Sequence, residues 1–401
     1  MKKYINKFSK KLVHRSLTNI THGTLLIIEG SDKYKFGNDK SLNAKIIVNN
    51  PRFYTEILLG GSIGASEAYI HKSWTSNDLT KVIQLMARNQ STMDSMEGPF
   101  KVIVAPFLRM LHALNRNTLY GSKKNIARHY DLSNKFFSLF LDSSMMYSSA
   151  IYPKKISTIE AAAAYKLDVI CKKLDLKKSH RVIEIGSGWG GFAIYAAKNY
   201  GCHVTTTTIS KEQYKYVREK IKHLKLEKNI KIIFKDYRKL TGKYDKLVSI
   251  EMIEAVGHKF YDLYFKKISE LLNHNGDALI QAITIRDQRY KKAIRSVDFI
   301  QKYIFPGSCI PSINAMQNAI TGSGDMVIND VRDIGYHYAK TLAAWREKFT
   351  RNKRSIVKLG FDERFLRMWF FYFCYCQGGF LEKSISTIHL HITKPDYRNK
   401  I

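Results

Sequence analysis

From residue 181 the chain settles into an alternation that few folds accept. Short apolar runs at 181–185, 203–207, 231–234, 246–250 and 277–283 read as strands, and 192–198, 212–224 and 260–272 read as helices between them. Strand, helix and strand in succession make βαβ units, whose crossovers oblige neighbouring strands to run parallel. This half of the sequence is therefore expected to build a mostly parallel sheet covered by helices, with ligands bound beyond the carboxyl ends of the strands. The β-type runs 327–334 and 386–392 are expected to finish the sheet as edge strands. The helical stretches within 290–320 and around 365–380 read as insertions over its carboxyl edge.

The first of these strands ends in Glu184-Ile185-Gly186-Ser187-Gly188-Trp189-Gly190. Glycines there permit a sharp turn and a close ligand approach, and the helix that follows offers free N–H groups. The spacing is G-x-G-x-G with an acid just before it, where dinucleotide turns use G-x-G-x-x-G. That pattern points to the methionine-binding turn of a class I methyltransferase before an NAD site. After the fourth strand come Glu251 and Glu254, two carboxylates three apart among apolar neighbours in a chain poor in acid. A strand end of this fold faces the active site, so one of them is expected to serve function.

Ahead of this pattern, residues 1–89 hold β-type runs at 24–28 and 44–48 and a helix at 79–88, and 90–122 reads as a linker with an amphipathic part. Gly60-Gly61-Ser62-Ile63-Gly64 matches the G-x-S-x-G of hydrolase elbows, but lies outside the α/β pattern and has no evident triad partners. A structural turn is the expectation. Tyr4, Ile5, Phe8 and Leu12 fall near one side of a helix with Lys on the other, which suits either an interfacial helix or a frayed N-terminal start. No run is long and apolar enough to span a bilayer. Five cysteines in no paired framework suggest a reducing compartment, and no metal site is read. With 66 Lys and Arg against 34 Asp and Glu, the net charge of +32 favours polyanions, either nucleic acid or an anionic membrane surface.

Further motifs occur in a fixed order: His129-Tyr130-Asp131-Leu132-Ser133, Tyr147-Ser148-Ser149-Ala150, the glycine-rich turn, Thr208-Ile209-Ser210-Lys211-Glu212-Gln213 and Glu251 to Gly257. Tyr303-Ile304-Phe305-Pro306-Gly307, Tyr336 to Leu342 and Cys376-Gln377-Gly378-Gly379-Phe380 complete the series. In this order the chain resembles the cyclopropane-fatty-acyl-phospholipid synthase family, which includes the mycolic acid cyclopropane synthases, over nearly its whole length. Asn50-Pro51-Arg52-Phe53 and Gly61-Ser62-Ile63-Gly64 resemble the family's accessory lipid-binding domain. The resemblance implies a small α+β lipid-binding domain at 1–89, a linker at 90–122, and a Rossmann-like methyltransferase domain with a seven-stranded sheet at 123–401.

It also implies a chemistry. The methyl group of S-adenosylmethionine is attacked by a cis alkene of a phospholipid acyl group, and the resulting carbocation loses a proton to bound bicarbonate so that a ring closes. By resemblance Glu254 and Tyr338 hold the bicarbonate, Ile283 contributes backbone, and Cys376 is an active-site cysteine. Tyr147, Ser148, Gly186, Gly188, Thr208, Gln213, Asp236 and Tyr237 are the implied cofactor contacts, together with Glu184 before the turn. Aromatic residues of 365–380 are candidates to face the cation. Two positions depart from many members: Ser149 stands for Cys and Gln281 for His, and each keeps a hydrogen-bond donor without a titratable proton. They leave room for a C-methyltransferase of lipid acyl groups with a branched product. An RNA methyltransferase, which the charge would suit, lacks any recognised RNA-binding module. A catalytically dead lipid-binding protein sits poorly with an intact cofactor turn. The implied setting is cytoplasmic, peripheral to the inner membrane face, and compatible with a homodimer.

Overall fold

The computed structural model describes residues 2–94, 132–155 and 158–398. The first three residues of the His129–Ser133 motif, and most of the linker expected at 90–122, lie outside them. Two compact units are formed. One comprises Met1–Leu114, Arg295–Ile304 and Trp345–Ser384, and the other Asn115–Ile294, Phe305–Ala344 and Ile385–Ile401. Segments 295–304 and 345–384, read above as part of the catalytic domain, therefore group with the N-terminal unit.

Among the described residues, that unit has a sheet of β1 (Thr24–Glu29), β2 (Asp32–Phe36), β3 (Asn43–Val48) and β4 (Trp74–Thr75), in the order β2-β1-β3-β4. The helix Arg52–Ile70 is kinked at Gly61 (φ 55°). A Cβ at Gly64 would fall 1.9 Å from the Glu56 carbonyl oxygen, so the G-x-S-x-G sequence serves backbone approach within a helix and is no nucleophile elbow. The aromatic helix Glu363–Leu381 packs here too: Phe371 lies 5.6 Å from Tyr69, and Arg367 Nε donates to the Tyr69 carbonyl at 2.8 Å. The helix Lys2–Leu17 buries Ser9, Val13 and Leu17, while Tyr4, Ile5 and Phe8 face outward at 79%, 47% and 62% exposure.

Among the described residues, the other unit carries a seven-stranded sheet of β5 (Arg181–Ile185), β6 (His203–Thr208), β7 (Ile230–Phe234), β8 (Tyr244–Ile250), β9 (Leu272–Ile285), β10 (Val327–Asp333) and β11 (Ile385–Thr393), ordered β10-β11-β9-β8-β5-β6-β7. β5 to β9 pair in parallel, and β11 runs antiparallel to both β9 and β10. Side chains alternate between two cores: Leu247, Ala278 and Ile280 meet the helix Tyr261–Leu271, whereas Val248 and Leu279 meet Phe192 and Leu167 on the other face.

One expectation needs correction. The run 386–392 is not an edge strand, because β11 is bonded on both sides and only β10 lies outside it. Its alternating polar residues look solvent-facing in sequence. In the fold they are buried and paired across to β9, His389 Nε2 with Gln281 Oε1 at 3.0 Å and His391 Nε2 with Asp277 Oδ2 at 2.8 Å.

Candidate functional site

The carboxyl ends of β5, β6, β7, β8 and β9 present Glu184 and the glycine turn, Thr208, Asp236, Glu251, and Gln281 with Ile283 in that order. The turn adopts the left-handed conformations that glycine permits, with φ of 96° at Gly186, 48° at Gly188 and 82° at Gly190. A Cβ at Gly188 would meet nothing within 4 Å, so open space lies against the backbone where a ligand is expected. At Gly191 a Cβ would sit 2.4 Å from Met146 Sδ, a packing requirement of another kind.

Beneath the turn Glu184 is buried and accepts from Thr206 Oγ1 at 2.5 Å; burial pushes its carboxyl up to about 8. Thr208 Oγ1 donates to Gln213 Oε1 at 2.8 Å and accepts from Ser210 N, which uses the Gln213 amide oxygen as acceptor and leaves its NH2 as the donor group. Asp236 is wrapped by Arg238, whose backbone N, Nε and Nη2 all donate to it at 2.7–3.0 Å. Burial opposes ionisation of Asp236, yet those bonds and the guanidinium charge hold its carboxyl below the usual range. Among the described residues the buried Tyr237 hydroxyl has no partner, which makes it a candidate donor to a ligand. Tyr147 packs among Phe137, Phe140 and Phe305, and Phe137 in turn contacts Trp189 at 4.8 Å. Aromatic faces around Tyr147 thus come from Phe137, Phe140 and Phe305, and the 365–380 helix groups with the other unit.

The second half of the site is built on two carboxylates. Glu251 follows β8 in a left-handed conformation (φ 49°), costing a non-glycine residue roughly 1–2 kcal/mol. Its Oε1 accepts from Ser149 N at 2.8 Å and Gln281 Nε2 at 2.7 Å, and its Oε2 accepts from Tyr338 OH at 2.7 Å. Ser149 and Tyr338 are brought there by one helix. Along Gly335–Arg351, His337 Nδ1 accepts from Tyr152 N, Tyr338 reaches Glu251, and Thr341 Oγ1 accepts from Ala150 N. Residues three and four apart share a helix face, so this motif clamps the loop carrying Ser149. Gln281 is oriented in turn by His389, which donates from Nε2; burial pulls the imidazole down to about 3 and keeps it neutral.

Glu254 accepts from Ile283 N at 2.5 Å through Oε1, while its buried Oε2 has no partner among the described residues. Burial, then the neighbouring Glu251 charge, pushes its carboxyl up to about 8. Burial raises the Glu251 carboxyl as well, but its three donors and Lys166 work against that shift. Three donors stabilise an anion on Glu251 and one on Glu254, so a proton shared by the pair is better placed on Glu254. Lys166, fully buried on the helix Ile159–Lys173, donates to Ser148 Oγ at 2.8 Å. Burial pulls its ammonium down to about 8, and Glu251, Asp142 and Glu184 resist that change.

Residues expected from sequence fare differently. Glu254, Tyr338, Ile283, Gln281 and Ser149 converge, although Ser149 contributes its backbone N–H while its hydroxyl donates to the Ala150 carbonyl at 3.0 Å. Cys376 belongs to the other unit, where burial raises its thiol and leaves it neutral. Glu251, Lys166 and His389 carry no assigned role in the sequence reading. The spacing of Glu251 and Glu254 signals one acidic function; only the fold shows that both side chains are buried together.

The sequence profile of the mycolic acid cyclopropane synthetase family matches residues 118–390. A cyclopropane-fatty-acyl-phospholipid synthase of Escherichia coli is 37% identical over 353 residues, covering 86% of each sequence. The chain belongs to this family. A tuberculostearic acid methyltransferase of Mycobacterium tuberculosis is 34% identical over 327 residues, 80% of this chain and 76% of its own. Among solved structures, a mycolic acid cyclopropane synthase, CmaA1, complexed with SAH and CTAB superposes with a TM-score of 0.63 at 28% identity, covering 68% of this chain and 98% of that one. The fold is that of a class I S-adenosylmethionine-dependent methyltransferase.

The open cradle at Gly188, the Gln213 donor and the unpartnered Tyr237 hydroxyl fit S-adenosylmethionine, whose chemistry is the supply of an electrophilic methyl group. Gly188→Ala is expected to weaken donor binding by calorimetry about tenfold or more, while the backbone strain costs only ~1–2 kcal/mol of stability. Unchanged affinity would remove this turn from the cofactor site. The implied bicarbonate fits less well. Ser149 N, Gln281 Nε2 and Tyr338 OH already serve Glu251, and Ile283 N serves Glu254.

Proposed function

We propose that this family member is a cyclopropane-fatty-acyl-phospholipid synthase, adding a methylene unit from S-adenosylmethionine across the cis double bond of a phospholipid acyl group. The observation that carries the reading is a glycine-turn cofactor cradle on the same sheet edge as a buried carboxylate pair. A methyltransferase that alkylates an amine or a hydroxyl can release the proton to a base or to solvent. One that closes a ring must remove a proton from the methyl group it has just delivered, in a site dry enough to deny water the cation.

Within such a site this protein's residues have separable tasks. Gly186 and Gly188 give the donor room, and Thr208, Gln213, Asp236 and Tyr237 orient it. Tyr147 and Phe305 offer aromatic faces to cationic charge. Glu251 and Glu254 manage the proton, positioned by Tyr338, Gln281, Ser149 and Ile283. The net charge of +32, and the Tyr4, Ile5 and Phe8 side chains exposed beside lysines on the first helix, support work at an anionic bilayer surface, peripherally and from the cytoplasmic side.

The test is expression in cells rich in monounsaturated phospholipid, followed by fatty-acid analysis. The reading expects acyl groups one CH2 heavier that have lost their unsaturation and resist mild hydrogenation. A methyl-branched product would favour methylation of the acyl group without ring closure. Unchanged lipids would refute both.

A further inference from the structure

Ring closure, if the function proposed above holds, needs a base beside the transferred methyl carbon, and the family resemblance assigns that place to bound bicarbonate. Here the donors that would hold such an anion already have a protein acceptor. We propose that Glu251 is itself the base, its carboxylate standing where an exogenous anion would otherwise bind. Ser149 N and Gln281 Nε2 converge on Oε1 at 2.8 and 2.7 Å, and Tyr338 OH meets Oε2 at 2.7 Å. A carboxylate has about four lone-pair positions, so these three bonds leave one open on Oε2.

The surroundings suit that task. Lys166, itself fully buried, counters the negative charge, and Glu254 carries the pair's proton, so the charge resides on the better-solvated partner. Three donors make Glu251 a weak base, which suffices against the acidic C–H bonds beside a carbocation. The backbone adds an independent mark. Glutamate occupies a left-handed position (φ 49°) where glycine would fit without strain, and such strain collects where function demands the side chain.

The step balances without a further reactant. The alkene π pair forms the bond to the methyl carbon while the C–S pair leaves with sulfur, placing the cation on the adjacent acyl carbon. One C–H bond of the new methyl then breaks toward Glu251 Oε2. Its electron pair closes the third side of the ring, and the proton stays on the carboxyl until it is passed to solvent.

The experiment uses the purified full-length protein with monounsaturated phospholipid vesicles and S-adenosylmethionine in buffer stripped of CO2. Wild type should form product at a rate that added bicarbonate does not change, and Glu251→Gln should lose about 10²-fold or more. Glu251→Gly, whose backbone suits the position, should bind the methyl donor, be inert without bicarbonate, and recover turnover when it is added. It should also broaden the 13C resonance of labelled bicarbonate, which wild type should leave sharp. A wild type that requires bicarbonate, an active Glu251→Gln, or a donor-binding Glu251→Gly that bicarbonate does not rescue would overturn this assignment alone. A wild type that adds no carbon to lipid with or without bicarbonate would overturn the functional reading beneath it.

Discussion

Glu254→Gln is expected to lose turnover by about 10²–10⁴-fold while binding the methyl donor as wild type does. The substitution preserves shape, and its amide oxygen can still accept from Ile283 N, the bond made at 2.5 Å by Glu254 Oε1. What changes is the other atom. Oε2 is buried with no partner and holds a labile proton near neutrality, since burial and Glu251 push the group up to about 8. Glutamine puts two fixed N–H donors there, with no acceptor to receive them and no proton to release. Steady-state rates and calorimetric affinity for the donor, measured together, decide the matter. If the bond to Ile283 were the whole role, Gln would rescue and only Ala would fail.

Lys166→Met should destabilise the catalytic unit strongly and should also move the pH profile. Removing one partner from a buried charge cluster costs roughly 3–5 kcal/mol, a fall in Tm on the order of 10 °C. The cluster is Lys166 with Glu251, Asp142 and Glu184, tied to the loop before it through Ser148 Oγ at 2.8 Å. The sign for catalysis follows from the charge. Lys166 lowers the Glu251 carboxyl, so its loss raises that group and shifts the acidic limb of the rate profile to higher pH. A stability loss with an unmoved limb would make Lys166 structural only. No shift in either would mean that the ammonium is not where the fold places it.

The sheet was legible because βαβ periodicity and a glycine-rich turn are local properties, and β5 starts and ends where its apolar run does. The position of β11 was not, since His389 and His391 look solvated until Gln281 and Asp277 are seen opposite them. The site divides in the same way. Gly188, Gln213 and Tyr338 lie in contiguous motifs and could be read along the sequence. The role of Glu251 depends on Ser149, 102 positions away, and on Tyr338, 87 away, which sequence spacing alone does not bring together. Cys376 lies in a contiguous motif as well, but it groups with the other packed unit, and burial raises its thiol.

The account turns on one event, removal of a proton from the methyl carbon after its transfer. Purified protein supplied with S-adenosylmethionine bearing a trideuterated methyl group reads that event directly by mass spectrometry of the acyl groups. The acyl groups are expected to gain one carbon and two deuterium atoms, to lose their double bond, and to take up no hydrogen on mild hydrogenation. Acyl groups retaining all three deuterium atoms, or keeping an unsaturation that hydrogenation removes, would contradict it.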